Sequence, residues 1–199
     1  MSNGPHDITG IILVGGKSRR MGRDKAFLDF AGQPLFERVL HLFREHFEQV
    51  ALVGDREERF SGYSLPVFPD IYPGSSLGGL YTGLYHATNP YIAVASCDMP
   101  FPSSAVLSYL CSLRQGYDVV VPATSHGYEP LFAVYAKSCL PTIKTFLDDG
   151  NYCAFGYYPE LKVREVTEAE IASLAAPPNC FINLNTPQEA EKHLRNQAD

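Results

Sequence analysis

The chain alternates short apolar runs with longer segments whose apolar positions recur every three to four residues. "ITGIILVG" (Ile8 to Gly15) is apolar at nearly every position, too continuous for a strand with one wet face. It predicts a central parallel strand buried on both sides. "PLFERVLHLFREHF" places Phe36, Val39, Leu40, Phe43 and Phe47 at helical spacing, with Glu37, Arg38, Arg44 and Glu45 between them, and predicts an amphipathic helix. Further strands are expected at Gln49 to Gly54, at the short "LPVF", and at Tyr91 to Asp98, Tyr117 to Ala123, Glu129 to Ala136, Lys162 to Val166 and Cys180 to Leu184. Helices are expected after the turn-like "YPGSS", near Ser103 to Arg114 and near Leu140 to Asp148. A last helix is announced by Thr186 as N-cap, Pro187 in the first position and Glu189 three residues after the cap, the pattern of a capping box.

Strands alternating with helices, without an internal repeat or a linker, predict an α/β fold. The expectation is a single domain over residues 1–199, three-layered and Rossmann-like, around a mostly parallel sheet. Such sheets hold ligands outside the carboxyl ends of their strands. That rule singles out Gly15-Gly16, Asp98 and Asn183 to Asn185.

Composition narrows the field. Sixteen basic against 22 acidic residues give a net charge of −6, which excludes broad nucleic-acid or membrane-surface binding, both of which need a positive field. Against that background Lys17, Arg19, Arg20, Arg23 and Lys25 stand out, because they crowd into one short stretch. The five cysteines show no Cys-x-x-Cys spacing and read as reduced, buried or half-buried thiols. No signal-like start is present, and no apolar run approaches the ~20 residues of a membrane span. A cytoplasmic location is expected.

The basic stretch follows the first strand directly. It fails the Walker A spacing, because Gly22 is followed by Arg23-Asp24, and it fails the dinucleotide-binding spacing, because its glycines are adjacent. It retains the ingredients of an anion site, namely glycines that let backbone amides approach a ligand and cations that neutralise it. A buried strand followed by a solvated basic turn is the plainer alternative. Cations at a helix start oppose its dipole by ~0.3–1 kcal/mol each, which favours a compensating anion. Asp98 ends a buried strand, where an unpaired carboxylate is costly; the plainer role there is capping the next helix. Asp70 in "FPDIYPG" and Asn185 before the last helix are both compatible with ordinary turn chemistry. No histidine has a neighbour at metal-ligand or catalytic spacing.

"LVGGKSRRMGRDKAFL" with "GQPL" resembles the nucleotidyltransferase signature L-A-G-G-x-S-x-R-M-G-x-D-K. With "PD" before "PGSSLGGL", then "SCDMPF", "EPLFAVY" and "INLNTPQE" in order, the chain resembles the molybdenum cofactor guanylyltransferases over nearly its whole length. The resemblance implies a nucleotidyltransferase fold with a nucleotide-binding half at about 8–115 and an acceptor-binding half at about 116–199. It implies transfer of GMP from GTP to molybdopterin or its molybdenum-loaded form, with Mg²⁺ as cofactor on Asp98. Lys25, Asp98 and Arg20 would be catalytic. Leu13, Val14, Gly15, Gly16, Lys25, Asp70, Leu77, Gly78, Gly79 and Asp98 would contact the nucleotide, and Arg19, Glu129, Asn183 and Asn185 the acceptor. Implied partners beyond the two substrates are a molybdenum-inserting protein and the apoproteins of molybdoenzymes.

Three departures from the family pattern are visible. Val14 replaces an alanine, Val53 stands where some relatives carry a nucleotide-contacting asparagine, and "NYCAF" after Gly150 lacks an arginine, for which Arg19, Lys17 or Arg164 are candidate substitutes. Alternatives to the guanylyl reading are CTP or another phosphorylated acceptor, and a non-catalytic nucleotide-binding module. "SSLGGL" is nearer the guanine-selective pattern, and the presence of Lys25 and Asp98 favours catalysis.

Overall fold

The computed structural model of the protein describes residues 5–15, 25–55, 57–184 and 186–195, with residues 25, 187, 194 and 195 described by backbone alone. Gly16, Lys17, Arg19, Arg20, Arg23 and Asn185, all singled out above, lie outside the described residues, as does the side chain of Lys25.

Strand β1 (Ile8–Leu13) is buried at every residue, as its unbroken apolar run requires. A short hairpin follows, β2 (Asp29–Phe30) and β3 (Gln33–Pro34). Its two-residue turn puts both Ala31 and Gly32 at positive φ, 56° and 81°, the backbone sense that matches strand twist. Helix α1 (Leu35–His46) buries Phe36, Val39, Leu40 and Phe43 on one face, as its spacing predicts. Each such side chain contributes about 1.5–3 kcal/mol on full burial. Next come β4 (Val50–Val53), a 3₁₀ segment at Glu57–Tyr63, β5 (Val67–Phe68) and α2 (Ser76–His86). Then β6 (Tyr91–Ser96), α3 (Ser104–Ser112), β7 (Val119–Thr124), β8 (Gly127–Tyr128), β9 (Phe132–Ala136), α4 (Leu140–Asp148), β10 (Val163–Thr167), α5 (Glu168–Ser173) and α6 (Pro187–Arg195) complete the order.

Among the described residues the main sheet runs β10-β7-β9-β6-β1-β4-β5, with β8 paired to β7. β1 is parallel to both β4 and β6, β4 to β5, and β7 to β10. Only β9, antiparallel to β6 and β7, and β8 run the other way. The carboxyl ends of β1, β4, β5, β6, β7 and β10 therefore share one edge of the molecule. The expected mostly parallel three-layer α/β architecture is the one observed. One apolar layer, with Ile12, Phe36, Phe43, Val106 and Leu110, lies on the α1 and α3 face; the other, with Ile11, Leu77, Leu80, Val94 and Ile143, lies on the α2 and α4 face.

Three sequence expectations need correction. Cys180 to Leu184 is not a strand. Turn bonds curl it after the prolines (Cys180 N–H to Pro177 O, 3.0 Å; Ile182 N–H to Asn179 O, 3.1 Å), and a single bond pins it, Leu184 N–H to Asp98 O at 2.9 Å. Glu129 to Ala136 is broken at its start: Glu129 sits in the turn between β8 and β9, its carbonyl accepting from the Phe132 amide at 3.0 Å. Among the thiols, Cys97, Cys111, Cys139 and Cys180 are buried, but Cys153 is exposed, because its loop rides on the surface after Gly150. The Thr186 cap is present, its hydroxyl accepting from the Glu189 amide at 3.1 Å. No described helix is long and apolar enough to cross a membrane.

Candidate active site

The sequence of parallel strands places four carboxyl ends side by side at the point where the chain turns from β4 on one side of β1 to β6 on the other. Crevices of this kind open outside such switch points. The backbone there is tied together beyond the strands themselves: Val14 N–H donates to Val53 O (2.9 Å), Gly54 N–H to Phe68 O (2.9 Å) and Cys97 N–H to Leu13 O (3.1 Å). Gly54 has to be glycine, since a β-carbon there would lie 2.8 Å from the Gly15 nitrogen and 3.0 Å from a Val14 methyl. This is how a chain with Val53 and Val14 seats its first loop, with Gly54 supplying the room.

Asp70, from the turn after β5, is wedged into this junction. A β-carbon built on Gly15 would stand 3.3 Å from its Oδ2, and one on Gly79 would stand 3.5 Å from its Oδ1. Oδ1 is buried and has no hydrogen-bond partner among the described residues, an arrangement that costs about 1–3 kcal/mol for the group concerned. Burial, helped by the nearby Asp55 charge, pushes the Asp70 carboxyl up to about 6. Asp70 therefore joins the start of the first loop to the start of α2.

Helix α2 begins with Ser75, whose hydroxyl accepts from the Gly78 amide at 3.0 Å. The Gly79 amide donates to the Ser75 carbonyl at 3.3 Å, and the Gly78 carbonyl accepts from the Thr82 hydroxyl at 2.9 Å. The amides of Gly78 and Gly79 are thus engaged inside the helix. At Gly78 the requirement for glycine is steric, since a β-carbon would fall 1.8 Å from the Tyr72 carbonyl oxygen. Leu77 is fully buried in the α2 and α4 layer.

Asp98 follows β6 by two residues, and its Oδ1 accepts from the Ser96 hydroxyl. Residues Ile92 and Val94 of β6 face the α2 layer, so the alternation of the strand sends Ser96 to that same side. In the second half of the chain, Glu129 is half-buried and its carboxyl is raised by burial, while the Cys180 thiol is raised chiefly by its own burial with the Glu129 charge adding to it. Two residues on, Leu131 O accepts the Ser96 amide at 3.0 Å. Asn183 is exposed, its side-chain amide donating to Phe181 O at 3.3 Å, next to the Leu184–Asp98 link. Leu13, Val14, Gly15, Asp70, Gly79 and Asp98 come together at one edge, and Asn183 lies beside Asp98 through the Leu184–Asp98 bond. Arg164, offered above for the missing arginine, is committed elsewhere: it pairs with Glu170 from near the amino end of β10. A cavity of about 870 Å³ lies at the other end of the sheet, where Thr9, Gln49, Val50 and Thr88 meet, and takes no part in this arrangement.

Three features escaped the sequence. Ser96 and Asp55 are ordinary polar residues until strand register puts them beside Asp98 and Asp70. Gly54 carried a usable signal, a glycine closing an apolar strand in "ALVGD".

Four matches to known proteins bear on this edge. A protein of Pelotomaculum thermopropionicum named as a probable molybdenum cofactor guanylyltransferase is 36% identical over 92% of this chain and 90% of its own. One of Desulfosudis oleivorans named molybdenum cofactor guanylyltransferase is 33% identical over 93% of each. The crystal structure of the molybdopterin-guanine dinucleotide biosynthesis protein A of Archaeoglobus fulgidus superposes with a TM-score of 0.82, at 26% identity, over 96% of this chain and 98% of that one. A family model described as the MobA-like NTP transferase domain matches residues 10–160, taking in most of β1, the first loop, Asp70, α2, Asp98 and Glu129. The chain belongs to that family of MobA-like nucleotidyltransferases.

Proposed function

We propose that this protein transfers the GMP moiety of GTP to the terminal phosphate of molybdopterin or its molybdenum-loaded form, giving the guanine dinucleotide cofactor and pyrophosphate. The observation that carries this reading is the junction at Asp70, where a nucleotide-contacting aspartate expected from the resemblance sits between Gly15, just after β1, and α2, and β1 in turn pairs with β6, the strand that leads to Asp98.

A phosphate monoester oxygen of the acceptor attacks the α-phosphorus, one new P–O bond forms, and the bond to the β-phosphate breaks as pyrophosphate leaves. The attacking oxygen is already anionic, so no proton has to be removed. What remains for the protein is alignment and neutralisation of charge. The amides of Gly15 and Gly16 with Arg20 hold the β- and γ-phosphates, and Lys25 neutralises charge at the α-phosphate. Asp70 and the start of α2 seat the nucleoside. Arg19, Glu129, Asn183 and Asn185 face the acceptor.

Asp98 fits a divalent metal of this class. Its carboxylate is a hard oxygen donor at a strand's carboxyl end, and among the described residues no cluster of three or more protein ligands forms a closed cage. Mg²⁺ suits such a site, since it binds through one or two carboxylates with substrate phosphates and water. When bound, the ion supplies charge neutralisation on the triphosphate.

The test is titration calorimetry with GTP and with CTP in the presence of Mg²⁺, followed by pyrophosphate release with molybdopterin. GTP binds and supports release, and CTP does neither. Asp98→Asn and Lys25→Ala abolish release while melting at the wild-type temperature. Wild-type turnover in either variant, or turnover with CTP equal to that with GTP, overturns the reading.

A further inference from the structure

A small third core, separate from the two sheet layers, is built from Phe30, Leu35, Leu184 and Ala190, with Phe101 packed against it. Its members come from the hairpin that follows Lys25, the segment after Asp98, and the segment that carries Asn183 into α6. The Phe30 and Phe101 rings meet edge to face at 5.4 Å, and the Leu184 amide donates to Asp98 O. The three stretches of chain that bear the expected reacting-site residues are joined here.

One charged side chain spans two of these stretches. Arg38, on α1, stacks its guanidinium 5.0 Å from the Phe30 ring centroid. One of its terminal nitrogens donates to Phe30 O at 3.4 Å and the other to Pro100 O at 3.5 Å. Its Nε is buried without a hydrogen-bond partner among the described residues, and no described carboxylate forms an ion pair with it. A half-buried arginine normally takes a carboxylate; this one gives its fork to two backbone carbonyls from segments 70 residues apart in sequence. A planar fork can hold two acceptors at once, which a lysine ammonium on a flexible stem does less well.

We propose that Arg38 is a positioning residue for nucleotidyl transfer, holding the turn after Asp98 and the hairpin after Lys25 at a fixed separation. The proposal rests on the guanylyltransferase reading above. Pro100 lies two residues beyond Asp98, and Phe30 opens into the hairpin five residues beyond Lys25, so movement of either carbonyl shifts one partner of the reaction relative to the other. In-line transfer is sensitive to such shifts, because an ångström of misplacement costs on the order of 100-fold in rate.

Arg38→Met keeps the apolar stem over Phe30 and removes both donors; Arg38→Lys keeps one donor. With GTP and molybdopterin, kcat of Arg38→Met falls by about 10- to 100-fold while KM for GTP stays within about threefold, and Arg38→Lys is intermediate. Amide hydrogen exchange quickens at residues 28–33 and 98–102 together, with α2 unchanged. Val39→Ala, on the same helix but facing the α1 and α3 layer, serves as a control that lowers the melting temperature without lowering kcat. The proposal fails if kcat of Arg38→Met stays within about twofold of wild type, if Val39→Ala loses kcat in the same proportion to its melting temperature, or if exchange in the two segments is unchanged. Should Arg38→Met not fold, Arg38→Gln takes its place in the same measurements. An inactive wild-type protein refutes the guanylyltransferase reading instead, and the exchange experiment then decides on Arg38 by itself.

Discussion

Asp70 gives the sharpest quantitative prediction, because its cost can be read from the fold. Its carboxyl is raised from 3.8 to about 6 by burial and by Asp55. An acid whose pKa is raised in the folded state binds its proton more tightly there than in the unfolded chain. The fold is therefore favoured by Asp70 below pH 3.8, loses that advantage between 3.8 and about 6, and carries the full penalty above. At 1.36 kcal/mol per unit, the shift amounts to ~3 kcal/mol, and solvent on the open side of the carboxylate screens this to about 1–2 kcal/mol.

Asp70→Asn removes the charge and keeps the shape. Its amide gains two unpaired hydrogens in the same junction, which returns part of the gain, so a net stabilisation of ~1 kcal/mol at pH 8 is expected. For a domain of this size that is about 2–4 °C in melting temperature. Urea denaturation of both proteins from pH 3.5 to 8, without nucleotide, reads the difference directly, since the titration of groups not coupled to Asp70 cancels between them. At the acid end the variant should be slightly less stable than the wild type, and the difference should turn in its favour between pH 3.8 and 6. A variant less stable at pH 8, or a difference that does not change with pH, refutes the account. The same substitution weakens GTP binding under the proposed function, so stability and ligand affinity move in opposite directions at one residue.

Other consequences are simpler to check. Gly78→Ala puts a β-carbon 1.8 Å from the Tyr72 carbonyl oxygen, which costs about 3 kcal/mol or more and is read as a large fall in thermal midpoint. Gly62→Ala, with open space around it, serves as its silent counterpart. Glu170, held at about 2 by Arg164 and the Thr167 amide, stabilises the fold above its ordinary range and loses that contribution as pH falls from 4.5 toward 2. Glu170→Gln therefore costs about 1 kcal/mol at pH 7, less the lower the pH, in acid denaturation curves. Among the thiols, Cys153 alone is exposed, and burial pushes Cys111 and Cys139 up to about 12. A thiol reagent at pH 8 should label one cysteine quickly and the other four only on unfolding.

What could be read from the sequence follows a physical divide. β1, α1 and α4 were legible because each declares itself over its own length; α4 spans Leu140–Asp148, the residues its pattern marks. The hairpin at Asp29–Pro34 was missed because its strands are two residues each and its turn uses Ala31 where a second glycine or an asparagine would have signalled it. Helix α5 was missed because six residues carry little periodicity, although Thr167 and Glu170 form a full capping box. The Cys180 to Leu184 run reads as a strand by composition, yet among the described residues its backbone reaches the sheet edge through the amide of Leu184, and no ladder forms.

The candidate site divides in the same way. Asp98 and Gly15 could be picked out because a rule about strand ends points to them without knowledge of neighbours. Asp70 needed the resemblance, since a turn explains it equally well until Gly15 and Gly79 are seen on either side. Arg38 could not be found at all. In the sequence it is one polar position on the outer face of an amphipathic helix, indistinguishable from Arg44, and its partners Phe30 and Pro100 are eight and 62 residues away. Periodicity carries information about which face a residue occupies, and none about which distant carbonyl waits opposite. A residue that acts by joining two segments is therefore the kind that single-sequence reasoning passes over, and the exchange measurement on Arg38→Met addresses that joining directly.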